Sequence, residues 1–501
     1  MTGDAWWVLG SIGLVCVVTI VISVHGLRRT RTTRDFYVAS RRVPPWMNAS
    51  AIAGEYLSAA SFLGVAGLIM AYGTHGLWFP VGYTAGFLSL LVFVAAPLRR
   101  SGAYTIPDLM SLRLPSRALR LLTALLVVVT GWLYIVPQLH GAALTLASTT
   151  GLPAWFGPLI VILVVLPTVI SGGMRSVTVA QAVQYWFKLS ALFIPTMFIV
   201  LRFGVGDTEA LPDLANAFEV ALVADTSTST YRTISLVAAL MLGTLGLSHV
   251  LVRFYTNPDG PSARRTTVLL LGLLSGFYVL PIVLGTVARA VLPDLSASAT
   301  TDTALLHLPE ALFDGLVGQL LTALVAGGAF AAFLSTASGL VVSISGVVSQ
   351  EFFGGTVRGF RIGATLALVL PVIAALVTTD LALAGAVAMV FTFTASSLAP
   401  IVLLAIWWRD LTVHGAITGM LTGATLSLTA LLVSQFLDAD GLTATILQYP
   451  ALWTVPLVVV VTMLVSALGS QGRPASTDAV LAKLHLPESA RQPAQPTRTE
   501  H

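Results

Sequence analysis

The sequence predicts an all-α polytopic membrane protein with about 13 transmembrane helices. Three observations carry that expectation. Of the 501 residues, 56% are apolar and only 10% charged; an ordinary soluble domain carries about 25% charged residues, so this chain lacks the polar surface to coat a globule in water. Apolar runs of bilayer-spanning length recur along almost all of it, and mean hydropathy is +0.88. Those runs are continuous rather than alternating, which excludes an outer-membrane barrel.

Taken in order, the spans fall near 6–27, 46–72, 77–98, 118–149, 154–172, 177–202, 232–256, 266–290, 312–350, 361–379, 382–408, 412–437 and 451–470. The first lacks a basic segment before it and is too long for a signal peptide. Its Cys16, the one cysteine, can form no internal disulfide and reads as a lipid-facing or packing residue. The run at 312–350 exceeds one crossing and must tilt, bend or project beyond the bilayer. After Gln471 the composition turns to Pro, Gln, Thr, Arg and Ser, which predicts a disordered tail over 471–501.

Charge orients the spans. The loop after the first holds Arg28, Arg29, Arg31, Arg34, Arg41 and Arg42, and the next loop on that side adds Arg99, Arg100, Arg113 and Arg117. Only Arg202, Arg232 and Arg289 fall on the other side, where Asp207, Glu209, Asp213, Glu219 and Asp225 share one acidic loop over 204–231. The positive-inside rule places the N-terminus outside and the C-terminus in the cytoplasm of a cell-membrane protein. A pI near 9.3 does not indicate nucleic acid, because the basic residues lie at helix ends rather than in one patch.

Two spans are unsuited to continuous lipid-facing helix. One is Ala51-Ile52-Ala53-Gly54-Glu55-Tyr56-Leu57-Ser58-Ala59-Ala60-Ser61; the other is Met241-Leu242-Gly243-Thr244-Leu245-Gly246-Leu247-Ser248-His249, followed by Arg253. The first opens a set of five spans over 46–203 and the second opens five over 232–408, with an extra helix and basic loop before them (1–45) and two helices after (409–470). Five spans per set make the halves inverted relative to each other. Interrupted helices at equivalent places point to a transport site, since unwound backbone is tolerated at membrane depth only beside protein or water. The competing reading is that the glycines merely allow close helix packing.

At these residues the chain resembles the sodium:solute symporter family, and within it the acetate and monocarboxylate permease branch. Matching stretches are Asp35-Phe36-Tyr37 through Pro44-Pro45-Trp46, Ala51 to Gly67, Tyr104-Thr105-Ile106-Pro107-Asp108, Gly172-Gly173-Met174, Gly243 to Thr256, Ala331 to Ser338 and Ala395 to Trp408. The resemblance implies a leucine-transporter-type five-plus-five inverted repeat. It also implies a co-transported sodium ion held by the carbonyls of Gly54, Leu57 and Ala332 and the hydroxyls of Ser335 and Thr336. Five neutral oxygens suit a monovalent ion, and no Asp or Glu cluster is present for a divalent one. Outside that motif, a Ser-Thr pair in an apolar helix commonly bonds back to its own backbone. Acetate permeases tend to replace the pair with less polar residues, whereas proline-type symporters keep it.

Polar groups at membrane depth complete the candidate set. Glu55 stands where acetate permeases carry Asp, and an intramembrane carboxylate is a functional candidate. The expectations for it are an ion pair with Lys188, a role in proton or ion coupling, or simple contact with water. Arg253 reads as a gate or lipid-phosphate anchor near the cytoplasmic mouth. His249 is either a titrating group or a packing histidine. Gln138 after Pro137, with Trp132 nearby, reads equally as a substrate contact or a helix–helix hydrogen bond. Ser396, before Pro400, marks a further break and lines the cavity. In the leucine-transporter type the N–H groups at the second half of a broken helix meet a substrate carboxylate, and here these are Ser58, Ala59 and Ala60, with the hydroxyls of Ser58 and Ser61.

The function expected is sodium-coupled uptake of a small monocarboxylate, with membrane lipid as surroundings and no nucleic-acid or protein partner implied. Proton-coupled carboxylate uptake and sodium-coupled, proline-like amino-acid uptake are the alternatives within transport. A non-transporting sensor or scaffold is the alternative outside it. A channel lacks a visible pore loop or charged ring, and an enzyme lacks any recognisable catalytic motif.

Overall fold

The computed structural model describes residues 5–27, 39, 43–203, 226–296, 301–378, 382–436, 440–469 and 472–487. Among them the regular structure is helical. Ten helices among the described residues are long and apolar enough to cross a membrane, or eleven if one bent pair is a single span, so the chain is a multi-pass membrane protein. The sequence expectation was about 13, and part of the difference has a visible cause. Two expected spans, 154–172 and 177–202, run together in Phe156–Phe203, where Gly173 leaves helical geometry at φ 55°.

The first half comprises α1 (Ala5–Leu27), α2 (Pro45–Tyr56), α3 (Val65–Tyr72), α4 (Trp78–Phe93), α5 (Ala95–Ser101), α6 (Ile106–Arg113), α7 (Arg117–Thr150) and α8 (Phe156–Phe203). Helix α2 opens with Pro45 inside its first turn, where a missing N–H costs nothing. It stops at Leu57, whose ψ of 81° is not helical. A π-helical turn over Ala60–Gly64 then leads into α3. Helix α6 begins with a capping box between Thr105 and Asp108, each side chain satisfying the other's backbone N–H.

The second half comprises α9 (Thr226–Thr244), α10 (Ser248–Phe254), α11 (Gly260–Val291), α12 (Ala304–Leu312), α13 (Gly315–Phe352), α14 (Val357–Val377), α15 (Leu383–Ser396) and α16 (Leu398–Trp407). Helices α9 and α10 meet at 45° across Leu245, Gly246 and Leu247. Both interruptions thus fall inside the stretches singled out by sequence. Of the acidic loop, 204–225 lies outside the described residues, and 226–231 form the first turns of α9.

Helix α13, 38 residues long, corresponds to the run judged too long for one crossing. At 1.5 Å per residue it extends roughly 57 Å. It is apolar all round because it is central: α1, α7, α8 and α14 pack around it, and most of it is buried. Helix α2 lies along α8 and also touches α13, which brings the first interruption against both.

Three further helices follow: α17 (Val413–Phe436), α18 (Gly441–Gln448) and α19 (Ala451–Leu468). The tail expected to be disordered is in part ordered. Helix α20 (Thr477–His485) docks where the buried Arg113 gives N–H to Thr477 Oγ1 at 3.0 Å, and Arg409 pairs with Asp478 at 2.7 Å. Val480 and Leu484 are buried beneath it. A short amphipathic segment with an arginine partner escapes a compositional reading. Residues 488–501 lie outside the described residues.

Candidate functional site

The two interruptions face each other and are joined twice. Tyr56, the last residue of α2, has its hydroxyl 3.2 Å from Thr244 Oγ1, the last residue of α9. Glu55 Oε2 accepts the Nε–H of Arg253 from α10 at 2.6 Å, with both side chains about 1% exposed. The rest of that guanidinium is also used: it donates to Thr178 Oγ1 at 2.7 Å, to Met174 Sδ, and to Gln181 Oε1 on α8. Two glycines make the packing possible. A methyl at Gly54 would collide with the Gln181 carbonyl oxygen, and one at Gly339 would collide with the Glu55 carboxylate.

These contacts correct two expectations. Glu55 pairs with Arg253, not Lys188. Arg253 is fully buried between the broken helices and α8 rather than standing at a cytoplasmic mouth or on lipid phosphate. The physical reason is the break itself. By ending α9 and restarting at Ser248, the chain turns Arg253 inward, where a buried carboxylate offsets its desolvation.

Of the five oxygens expected to hold sodium, those of Gly54, Leu57, Ala332 and Ser335 are linked by hydrogen bonds, whereas Thr336 turns to the Glu55 carbonyl. Ser335 Oγ lies 2.7 Å from the Gly54 carbonyl and 3.0 Å from that of Ala332, and Thr336 Oγ1 donates to the Glu55 carbonyl at 2.6 Å. Lys188, from α8, reaches into this cage. Its Nζ donates to the carbonyl of Gly54, to the carbonyl of Leu57 at 2.8 Å and to Ser335 Oγ at 2.7 Å. Three of the five expected sodium ligands are therefore already hydrogen-bonded to a side chain of the protein.

Beside the cage, aromatic rings surround the breaks. Tyr56 makes edge contacts with Tyr83, Phe87 and Phe391; Tyr83 stacks on Tyr278; Tyr134 packs edge-on against His249 and Phe391. Ser61 joins this group through a 3.0 Å hydrogen bond with the Tyr278 hydroxyl, and Ser58 lies beside the Tyr134 hydroxyl. Ala59 and Ala60 are fully buried. The Ser58 N–H is donated to the Tyr56 carbonyl at 2.8 Å, and the Ala59 N–H to Gln138 Oε1 at 3.0 Å. Among the described residues, the Tyr83 hydroxyl and both ring nitrogens of His249 are buried without a hydrogen-bond partner. Most buried polar groups are satisfied within a protein; these two residues and Ser58 Oγ, which also lacks a partner, lie around one centre, as do single unpartnered atoms elsewhere among the described residues.

Two expected contacts lie elsewhere. Ser396 Oγ shares a 2.7 Å hydrogen bond with Thr454 of α19, turned away from the rings. In its place Thr394, two positions earlier, donates to the Gly243 carbonyl at the second break. Trp132 is half-buried and stands about 200° around α7 from Tyr134, so it presents another face of the helix. Sequence reasoning missed Tyr83, Tyr278 and Phe391 because isolated aromatics in apolar spans carry no spacing signal of their own. The one available hint was a tyrosine hydroxyl placed mid-span, which seeks a partner when buried.

A small cleft lined by Ser248, Val252, Met174, Ser343 and Val347 has space of about 10 Å³, roughly one water. The rings and hydroxyls of the centre are nearly all buried.

Comparison with known proteins bears on what such a centre serves. The chain is 30% identical over 420 residues to a Bacillus subtilis (strain 168) protein named "Uncharacterized symporter YwcA", a match covering 81% of this chain and 82% of that one. It is 27% identical over 457 residues to the "Monocarboxylic acid transporter" of Corynebacterium glutamicum, covering 85% and 83%. Among solved structures it shares the fold of a Na+-coupled sialic acid symporter in a substrate-bound outward-open state, with TM-score 0.76, 14% identity and coverage of 93% and 99%. A nucleobase-cation-symport-1 family transporter in a closed conformation follows at TM-score 0.58, 14% identity and coverage of 89% and 98%. These share the leucine-transporter-type fold expected from the resemblance. The family model for the sodium:solute symporter family matches residues 36–423, and with that match the chain belongs to the sodium:solute symporter family.

Proposed function

We propose that this protein is a secondary active symporter that takes up a small monocarboxylate by alternating access between two inverted five-helix repeats. The observation that carries the reading is the buried centre at the two breaks, where the Tyr83 hydroxyl and the His249 ring, both without a hydrogen-bond partner among the described residues, belong to one cluster of aromatic rings with Tyr56, Tyr134 and Phe391. Few donors and much apolar wall suit an acid of two or three carbons. A sugar would demand more hydrogen-bonding groups than converge here. The relative named a monocarboxylic acid transporter supports the same class.

The membrane orientation in this reading follows the arginines, with the N-terminus outside and the C-terminus in the cytoplasm. The family name and the Na+-coupled neighbour support an inward cation gradient as the driving force. One observation favours protons over sodium for that role: three of the five expected sodium oxygens are engaged by Lys188.

Reconstituted proteoliposomes test the proposal directly. Labelled acetate, pyruvate and proline are offered with sodium and pH gradients imposed separately. Acetate or pyruvate should accumulate and proline should not. Accumulation of proline alone, or of none of the three under either gradient, overturns the substrate reading.

A further inference from the structure

We propose that Lys188 is a built-in substitute for sodium: its ammonium is the resident cation of the cage between α2 and α13, so this site takes no sodium ion. The inference deepens the transport reading above but rests on it only for the transport measurement given last.

Four observations converge. An ammonium group has three N–H donors and no acceptor, and Lys188 is given three oxygens, on Gly54, Leu57 and Ser335. Every proton is used. Those oxygens belong to the unwound end of α2 and to α13, while the lysine rises from α8, so one side chain ties three elements together.

The partners are neutral. A buried lysine serving as half of a structural ion pair would meet a carboxylate. The charged group facing Lys188 is Glu55; its Oε2 is given to Arg253 of α10 at 2.6 Å, and its Oε1 has no hydrogen-bond partner among the described residues, so neither oxygen is bonded to Lys188. Lys188 is instead held by carbonyl and hydroxyl oxygens, the ligand type that holds a small monovalent ion. Its positive charge balances the site as a bound ion would.

Space and charge exclude a second cation. Nζ stands within 2.8 Å of Leu57 O and 2.7 Å of Ser335 Oγ, so a sodium ion sharing those oxygens would lie at contact distance from an ammonium in a low-dielectric interior, where like charges repel strongly. Lys188 is fully buried, out of contact with bulk solvent. The serine hydroxyl fits the same role. Ser335 donates its own proton toward Gly54 O or Ala332 O and turns a lone pair to the lysine.

The test is thermal unfolding of the purified full-length protein in sodium chloride against choline chloride at equal ionic strength. A ligand that binds the folded state raises the midpoint by mass action. The wild-type midpoint should be the same in both salts. Lys188→Ala, which empties the cage and leaves its oxygens, should melt lower in choline and gain a sodium-dependent rise of several degrees. Adding Ser335→Ala should remove that gain. Sodium-dependent stabilisation of the wild type, or its absence in a folded Lys188→Ala protein, overturns the proposal. If Lys188→Ala does not fold, the wild-type comparison decides alone. In proteoliposomes, a sodium gradient without a pH gradient should drive no acetate accumulation. Failure of every acid to accumulate, with the melting pattern intact, sinks the substrate reading and leaves the cation assignment standing.

Discussion

Arg253 Nε lies 2.6 Å from Glu55 Oε2, and neither side chain is more than about 1% exposed. Residues 198 positions apart in the chain thereby fasten one broken helix to the other. Removing one member of a buried pair leaves an uncompensated charge, which costs about 3–5 kcal/mol, whereas replacing both with neutral groups is commonly tolerated. Glu55→Gln and Arg253→Met should each lower the unfolding midpoint sharply, and the double variant should recover most of the loss. Strictly additive losses in a thermal-unfolding cycle would show that the two residues act independently.

Much of this architecture is legible in the sequence, and the reasons are physical. Bilayer length and the cost of unpaired backbone in lipid force long apolar helices, so the spans could be read from composition. Glycines and a carboxylate in mid-span betrayed both breaks, because continuous lipid-facing helix has no use for them. Which charge meets which was not legible. By sequence Glu55 and Lys188 lie at similar depth and Arg253 nearer the cytoplasmic mouth; the break at Leu245 to Leu247 restarts the helix so that Arg253 meets Glu55, while Lys188 reaches the cage. The direction of Ser396 was equally hidden. A hydroxyl beside a break can face the cavity or the next helix, and here Thr454 of α19 takes it.

Tyr83 offers a second test. Its hydroxyl is buried and without a partner among the described residues, while its ring contacts Tyr56, Tyr278 and Phe391. Tyr83→Phe keeps every ring contact and breaks no hydrogen bond within the protein, so the unfolding midpoint should hold. If the hydroxyl serves a carboxylate, losing a hydrogen bond to a charged group costs about 1.5–3 kcal/mol. The acetate concentration for half-maximal uptake should then rise at least tenfold. Unchanged half-saturation would remove Tyr83 from the substrate's surroundings.

Acidity should act through Asp302, in the turn between α11 and α12 and outside the membrane helices. Its carboxylate accepts the Leu383 N–H at the start of α15 at 2.8 Å. Burial nonetheless pushes its pKa from the ordinary 3.8 up to about 6. A carboxyl whose folded pKa lies above its unfolded one binds more protons in the folded state between the two values. Stability contributed by the proton is therefore full below about 4 and is lost as pH rises through about 6. Asp302→Asn should flatten that part of the melting-midpoint profile, an effect of at most about 3 kcal/mol. An identical profile in the variant would assign the pH dependence to other groups.

Gln138 tests where the substrate carboxylate docks. Its Oε1 accepts the Ala59 N–H at 3.0 Å, and its amide N–H goes back to the Tyr134 carbonyl at 3.3 Å. The N–H of Ala59 is the donor expected to meet an anion at the first break. In the proposed reading the glutamine oxygen stands where one carboxylate oxygen would, and the substrate would have to displace it. Gln138→Leu leaves that N–H buried and unpaired, which costs about 1–3 kcal/mol, so the substrate-free protein should melt lower than wild type. A bound acetate would restore the missing acceptor in the variant, whereas in the wild type it gains only the difference between itself and the glutamine. Saturating acetate should therefore raise the midpoint more in Gln138→Leu than in the unaltered protein. Equal shifts in the two proteins would mean that the carboxylate binds away from Ala59, and the small residues after the first break would then serve helix packing alone.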